Sequence, residues 1–172
     1  QNKKSVFDID VMLPLIKKIE ELSGKKYLDF PKEFRLIADH IRSATFAIGD
    51  GAVPSNKGAG YIVRRLIRRA VVKAKQLGIA DNSLNSLAPS VVEVYSDIYE
   101  LNQDQISSEI KKEETKFSNS LESGLKLVES QEDFSGKVLF DLYQTYGIPV
   151  EVTIEEAERM GRKVGVDDKE EF

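Results

Sequence analysis

The segment around which the chain is built reads Asp50-Gly51-Ala52-Val53-Pro54-Ser55-Asn56-Lys57-Gly58-Ala59-Gly60, followed by Tyr61-Ile62-Val63-Arg64-Arg65-Leu66-Ile67-Arg68-Arg69-Ala70. The first half is a loop rich in glycine and small polar residues, and the second half has the apolar spacing of an amphipathic helix. Glycine lets another backbone come close, and a helix start offers N–H groups and a partial positive charge. The segment therefore suits a phosphate-rich partner.

The helical half separates into an apolar face and a basic face. The apolar arc consists of Val63, Leu66, Ile67, Ala70, Val71, Ala74 and Leu77. The basic arc spans roughly 140° and consists of Arg64, Arg65, Arg68 and Arg69, with Lys73 and Lys75 flanking it. Arginine suits phosphate and base edges because its fork is planar. We expect contact with nucleic acid, with at least one arginine paired inside the domain; a merely solvated basic face is the alternative.

Composition excludes several other kinds of chemistry. The 172 residues include 25 Lys and Arg against 29 Asp and Glu, so the basic helix is a local feature of a mildly acidic protein. Cysteine is absent, and the single histidine, His40, lies at a helical position between Ile37 and Ile41. We expect no catalytic residue and no metal site, no membrane span, and a cytoplasmic location.

Hydrophobic periodicity predicts an all-α fold, because strand signals are nearly absent. We expect a helical bundle with one long helix or helical hairpin and a small C-terminal helical appendage. Helices are predicted for residues 7–23 and 34–48, from the opening loop to about residue 78, within residues 81–101, from 102 to about 130, from the candidate cap Ser135 to 146, and from 153 to about 163. The length fits one domain, residues 1–172, with a possible subdivision into a bundle, 1–130, and an appendage, 131–172.

Three finer predictions concern the second half of the chain. The apolar stripe of the long helix recurs at threes, fours and one seven, at Ile106, Ile110, Phe117, Leu121, Leu125 and Val128. The charged residues near its start are interpreted as a solvated face without a function: Glu109, Lys111, Lys112, Glu113, Glu114 and Lys116. Further along, residues 150–152 are expected to be extended, and Thr153-Ile154-Glu155-Glu156 is expected to be a capping box.

Two parts of the sequence together match one known family. The first is Phe34-Arg35-Leu36-Ile37-Ala38-Asp39-His40-Ile41-Arg42, continued by Asp50-Gly51, by Pro54-Ser55-Asn56 and by Gly60 to Ala70 of the opening segment. The second is Leu142-Tyr143-Gln144-Thr145-Tyr146-Gly147-Ile148-Pro149-Val150. In this order and at this separation they resemble the alanyl-tRNA synthetase family, and the resemblance extends over the whole chain, most weakly between residues 81 and 136.

The resemblance implies a piece of a larger enzyme that joins alanine to its tRNA, with ATP and magnesium as cofactors. The class II catalytic domain is expected before Gln1 and the editing domain after Phe172. This chain alone is therefore expected to bind no cofactor and not to activate alanine. The part implied for it is recognition of the acceptor stem of alanine tRNA. A freestanding helical RNA-binding module and a protein-interaction bundle that uses the basic helix stay open as alternatives.

The resemblance also implies which residues meet the RNA. The family reads a G·U wobble pair, whose guanine amino group is unpaired in the minor groove and calls for an oxygen acceptor. The implied acceptors are Asn56 and Gln144, the second at a position where the family has Asp. Because Gln keeps the oxygen but loses the charge, we expect weaker or altered discrimination, with a neutral change as the alternative. Contacts to the RNA backbone are expected from Ser55, Lys57, Arg64, Arg65, Arg68, Arg69 and Lys73.

Overall fold

The computed structural model describes residues 5–164, and this part of the chain contains helices and no β-strand. Its α-helices are α1 (Leu13–Ser23), α2 (Pro31–Gly49), α3 (Gly58–Leu77), α4 (Ala88–Tyr95), α5 (Gln103–Ser130), α6 (Gly136–Tyr146) and α7 (Val150–Arg159). Short 3-10 helices at Val6–Asp8 and Leu84–Leu87 precede α1 and α4. The predicted all-α fold class is thereby confirmed. None of the helices within residues 5–164 is both long and apolar enough to cross a membrane.

The core of the first half is built on α2 and α3, which contact each other along much of their length. α2 contributes a stripe of fully buried side chains: Phe34, Ile37, Ala38, Ile41, Ala44, Thr45 and Ile48. α3 contributes its predicted apolar arc except for Leu66, which is half-buried. α3 ends because Gly78 adopts a left-handed φ of 80° and its N–H returns to the carbonyl of Lys75 at 3.0 Å.

Two helices begin at a proline-containing first turn. The helix predicted for residues 7–23 begins at Leu13, with Pro14 in its first turn. The helix predicted within residues 81–101 covers Ala88–Tyr95, with Pro89 in its first turn. Proline has no N–H to donate, so it suits the first turn and not the interior of a helix.

The extended segment and the capping box predicted after Pro149 are wrong, because α7 begins at Val150. Pro149 is the residue that precedes the helix, and its carbonyl accepts hydrogen bonds from the N–H groups of Val152 at 2.9 Å and Thr153 at 3.2 Å. Thr153 and Glu156 consequently lie inside α7, where both are buried. The helix ends at Arg159, one turn earlier than predicted.

Contacts divide the described residues into two compact units, and the division falls inside α5. The first unit ends at Thr115 and the second begins at Lys116. The first unit therefore holds α1 to α4 with the start of α5, and the second holds the rest of α5 with α6 and α7. The domain limits predicted from the sequence, 1–130 and 131–172, stay a prediction.

Candidate nucleic-acid interface

The loop between α2 and α3 folds back tightly on the start of α3. The backbone N–H of Ser55 donates to the carbonyl of Gly60 at 3.0 Å, and the Ser55 hydroxyl donates to the carbonyl of Lys57 at 3.1 Å. Gly60 is required here because a Cβ atom would collide with the carbonyl oxygen of Val53 and with the Ser55 hydroxyl. The expected close approach of another backbone to a glycine of this segment is therefore observed.

Asn56 stands at the tip of this loop and is exposed. Its side-chain oxygen accepts a hydrogen bond from Nη1 of Arg64, two turns into α3. The loop is thus attached to the helix through a side chain as well as through the Ser55 backbone. Of the predicted RNA contacts, the structure brings Asn56 and Arg64 directly together.

Arg64 and Arg68 converge on one carboxylate, that of Glu113 in α5. Nε of Arg68 donates to Oε1 of Glu113 at 2.6 Å, and Nε of Arg64 forms an ion pair with the same oxygen at 3.4 Å. The side chains of Arg64, Arg68 and Glu113 are only 14 %, 11 % and 4 % exposed. The expectation that at least one arginine of the basic face is paired inside the domain is confirmed, and the face is less open than its sequence indicates.

The interpretation of the charged residues of α5 as one solvated face is wrong for Glu113 and Glu114, which are both buried. Glu114 accepts hydrogen bonds from the backbone N–H groups of Ser83 at 3.1 Å and Leu84 at 3.2 Å. Burial raises the pKa of Glu114 above its ordinary value, and the hydrogen bonds from these backbone amides counteract part of that rise. Intrahelical pairing is found one turn earlier, where Lys112 bonds Glu109 at 2.6 Å.

The sequence contains a pattern that indicates the burial of Glu113. The apolar stripe of α5 skips from Ile110 to Phe117, and a helix that packs continuously needs a residue on the same face between them, at 113 or 114. Both positions are acidic, and both are covered by the first unit. An acid inside an apolar stripe indicates a buried cation or backbone donor opposite it.

The remaining cations of the predicted RNA contact lie along α3 and at its start. Arg65, Arg69 and Lys73 are half-buried, and Lys57, which directly precedes the helix, is exposed. Each of the three α3 residues has an electrostatic or hydrogen-bonding partner in the chain. Their positions continue the basic arc along α3.

Gln144 lies in the second unit, exposed near the end of α6. Gly147 ends this helix with a φ of 69°, and its N–H returns to the carbonyl of Tyr143 at 2.9 Å. The carbonyl of Tyr146 accepts a hydrogen bond from the Ser120 hydroxyl of α5 at 2.9 Å. The motif of residues 142–150 therefore forms a helix end that is attached to α5, with the Gln144 side chain on the exposed side.

His40 is mostly covered, with a side chain 13 % exposed and Nδ1 3.6 Å from a carboxylate oxygen of Asp39. Within residues 5–164, no three side chains of the histidine, cysteine, aspartate and glutamate types form a group that could hold a metal ion. What the first unit assembles is a loop amide, two paired guanidinium groups and a buried carboxylate. Such groups bind and orient polar partners.

The whole chain, residues 1–172, matches the family model described as tRNA synthetases class II (A), and the chain belongs to that family. Among curated proteins it is similar to the alanine–tRNA ligases of Pediococcus pentosaceus, at 43 % identity, and Lactococcus lactis subsp. cremoris, at 44 %, each over 179 residues. The ligase of Streptococcus thermophilus is 42 % identical over 180 residues.

These alignments include 95 % of this chain and 20 % of each relative. The chain thus spans about one fifth of the length of the curated relatives that it matches. The resemblance to alanyl-tRNA synthetases inferred from residues 34–70 and 142–150 agrees with these relatives and with the class II family.

Proposed function

We propose that this chain is the helical part of an alanine–tRNA ligase that recognises the acceptor stem of alanine tRNA. The enzyme as a whole would join alanine to that tRNA with ATP and magnesium, and the catalytic groups would lie outside this chain. The observation that carries the proposal is the exposed Asn56 amide, attached to Arg64 at the start of a basic helix. The similarity to alanine–tRNA ligases supports the choice of RNA.

Asn56 has the chemistry that a G·U pair requires. The guanine amino group of a wobble pair is an unpaired donor in the shallow minor groove of an RNA helix. A side-chain carbonyl oxygen has two lone pairs, so the Asn56 oxygen can accept from the guanine while it accepts from Arg64. The positive charge of Arg64 fixes the direction in which the amide points, which lowers the entropy cost of binding.

The cations around Asn56 would hold the phosphate backbone. Arg64 and Arg68 both form ion pairs with Glu113 at the start of this basic helix. Lys57 is exposed beside Asn56. Contacts from such residues and from Arg65, Arg69 and Lys73 would supply affinity and salt dependence, with little sequence preference.

Gln144 is proposed as the base contact of the second unit. It is exposed on α6 and offers an amide oxygen where the resemblance implies a carboxylate. A neutral acceptor contributes about 0.5–1.5 kcal/mol, whereas a charged one contributes about 1.5–3 kcal/mol. We therefore propose that Asn56 supplies most of the G·U preference in this protein.

Binding of acceptor-stem minihelices tests the proposal. Three duplexes that differ only at the third pair, G·U, G·C and A·U, are titrated with the wild-type chain, with Asn56→Ala and with Asn119→Ala, a control at an exposed asparagine of α5. We expect wild type and Asn119→Ala to prefer G·U, and Asn56→Ala to lose about two- to tenfold of that preference. A weakening of all three duplexes at higher salt would report the phosphate contacts.

Equal binding of all three duplexes by the wild-type chain would contradict base recognition and leave a helical module that binds RNA without reading this pair. Tight binding to an acidic protein with no binding to RNA would favour the protein-interaction bundle. A preference for G·U that survives Asn56→Ala would assign the recognition to another residue, and Gln144→Ala would be the next variant.

A further inference from the structure

We infer that Glu113 is a positioning residue for RNA recognition: it holds the Arg64 guanidinium in the orientation in which Arg64 fixes the amide of Asn56. The inference rests on the proposed function for its biological meaning. The chain of contacts itself, from Glu113 through Arg64 to Asn56, lies within the first unit.

Glu113 occupies a core position of α5. It falls between Ile110 and Phe117 on the face that the helix buries, and its side chain is 4 % exposed. A buried carboxylate is costly unless it is paired, and replacing a whole buried ion cluster by apolar residues is often neutral or stabilising. Packing alone therefore does not call for an ionic cluster at this position, and orientation of the arginines is a contribution that an apolar cluster could not make.

The guanidinium of Arg64 is a rigid planar group that contacts both Glu113 and Asn56. Nε lies 3.4 Å from Oε1 of Glu113, an ion-pair contact in which Nε makes no hydrogen bond, and Nη1 donates to the oxygen of Asn56. Because both nitrogens belong to one planar group, the attraction between the guanidinium and the carboxylate also restricts the direction of the Nη1–H bond. Arg68 donates to the same Oε1 at 2.6 Å and holds the carboxylate in place.

The inference predicts opposite effects on specificity and on affinity. Removing the charge of Glu113 frees Arg64 to turn toward phosphate, so the Asn56 amide is held less firmly. The same change increases the positive charge of the surface by one unit, which strengthens binding to any RNA duplex at low salt. A residue that only stabilised the fold would weaken the binding of all duplexes in parallel.

The variant Glu113→Gln tests this, because it keeps the shape and one oxygen but not the charge. Its control is Glu109→Gln, the same change one turn earlier on α5, where the carboxylate pairs with Lys112. The ratio of Kd values for the G·C and G·U minihelices is measured for both. We expect the ratio to fall about two- to tenfold in Glu113→Gln, the range of one neutral hydrogen bond, and to stay at the wild-type value in Glu109→Gln.

A second measurement does not depend on RNA. The side-chain NH₂ resonances of Asn56, assigned with Asn56→Ala, are recorded for the free chain, and we expect them to move or broaden in Glu113→Gln and not in Glu109→Gln. If Glu113→Gln does not fold by circular dichroism, Arg64→Lys is used instead, because lysine keeps the charge and lacks the planar fork. The double variant Asn56→Ala with Glu113→Gln should show the ratio of Asn56→Ala alone.

The outcomes separate this inference from the function on which it rests. Loss of the G·U preference in Glu113→Gln with a shifted Asn56 resonance supports the inference. A folded Glu113→Gln that keeps the wild-type ratio, while Asn56→Ala lowers it, overturns the inference and leaves the proposed function standing. If the wild-type chain has no G·U preference, the proposed function fails, and the Asn56 resonances alone decide whether Glu113 positions that side chain.

Discussion

The two residues proposed to read the RNA bases are supported in different ways in the two units. In the first unit, the Asn56 amide is bonded to Arg64, which is held by the buried Glu113. In the second unit, Gln144 is exposed on α6, and its place is set by the helix backbone. A side chain that is already oriented loses little entropy on binding, whereas a glutamine on a helix surface must be ordered by its ligand.

The scaffolds beneath the two residues also differ. The first unit relies on the buried ionic cluster of Arg64, Arg68 and Glu113, in which each charge is compensated by the others. The second relies on close packing, because Gly124 of α5 leaves room for Tyr146 at the end of α6 and for Ile148 two residues further on. The comparison indicates that the first unit is sensitive to changes of charge and the second to changes of volume.

The largest effect is expected from Glu113→Ala. The substitution leaves the two mostly covered guanidinium groups of Arg64 and Arg68 without their shared carboxylate. Breaking a buried pair in this way costs about 3 kcal/mol of unfolding free energy, measured by urea denaturation. Glu109→Ala on the same helix is the control, with an expected loss below about 1 kcal/mol because its pair is local. Equal losses in both variants would show that the cluster is not a stabilising unit.

A matched pair of glycine substitutions compares the two scaffolds directly. In Gly60→Ala the new Cβ meets the backbone carbonyl of Val53, whereas in Gly124→Ala it meets side-chain atoms, Cδ1 of Ile148 at 2.5 Å and Cβ of Tyr146 at 3.0 Å. Backbone yields less easily than the end of an isoleucine. We expect Gly60→Ala to lose about 2 kcal/mol of unfolding free energy and Gly124→Ala to lose less, because the side chain of Ile148 can move aside whereas the Val53 carbonyl cannot.

Urea denaturation of the two glycine variants shows which one loses more unfolding free energy. Binding of the minihelices shows whether each substitution also impairs the RNA contact proposed for its unit. A larger loss in Gly124→Ala would reverse the comparison, since it would make the contact after α6 the more rigid one.

Sequence patterns predicted the parts of this fold that depend on one helix at a time. The apolar faces of α2 and α3 and the extent of α5 follow from periodicity within each helix. The burial of Glu113 did not follow, because the spacing along α5 shows which residues share a face and not what covers that face. The seven-residue step from Ile110 to Phe117 was the available signal.

The start of α7 illustrates a second limit. Residues 150–154 read Val-Glu-Val-Thr-Ile, and such β-branched residues favour extended structure. The Pro149 carbonyl accepts from the N–H groups of Val152 and Thr153, and the helix buries both of these side chains. Tertiary packing thus overrides a local preference that differs from helix by a few tenths of a kcal/mol per residue.

A smaller effect is expected from Gln144→Asp, which tests whether the exposed acceptor of the second unit limits discrimination. A carboxylate accepts more strongly than an amide, so we expect the preference for G·U over G·C to rise by about 1 kcal/mol. Thr145→Asp adds the same charge at the adjacent exposed position and should leave the preference unchanged. The ratio of Kd values for the G·C and G·U minihelices measures this preference. An equal change of the ratio in Gln144→Asp and Thr145→Asp would mean that the effect comes from the added charge alone and not from an acceptor at position 144.

The smallest effect concerns pH and is expected in the first unit, where Glu114 is buried. Because burial raises its pKa above the ordinary 4.5, the folded chain holds this proton more tightly than the unfolded chain. The resulting contribution to stability is complete below about pH 4.5 and is lost as the pH rises through the pKa of the folded state. Glu114→Gln cannot ionise and keeps an oxygen for the N–H groups of Ser83 and Leu84.

The unfolding free energy of Glu114→Gln relative to wild type should therefore increase between about pH 4 and about pH 7. The control in the second unit is Glu122→Gln, where the carboxylate is 66 % exposed and pairs with Lys126 at 2.8 Å. Urea denaturation at the two pH values measures both differences. A Glu114→Gln difference that does not change with pH would mean that the backbone amides of residues 83 and 84 fully offset the burial of this carboxylate. The sensitivity of the first unit to charge would then rest on Glu113 and its two arginines alone.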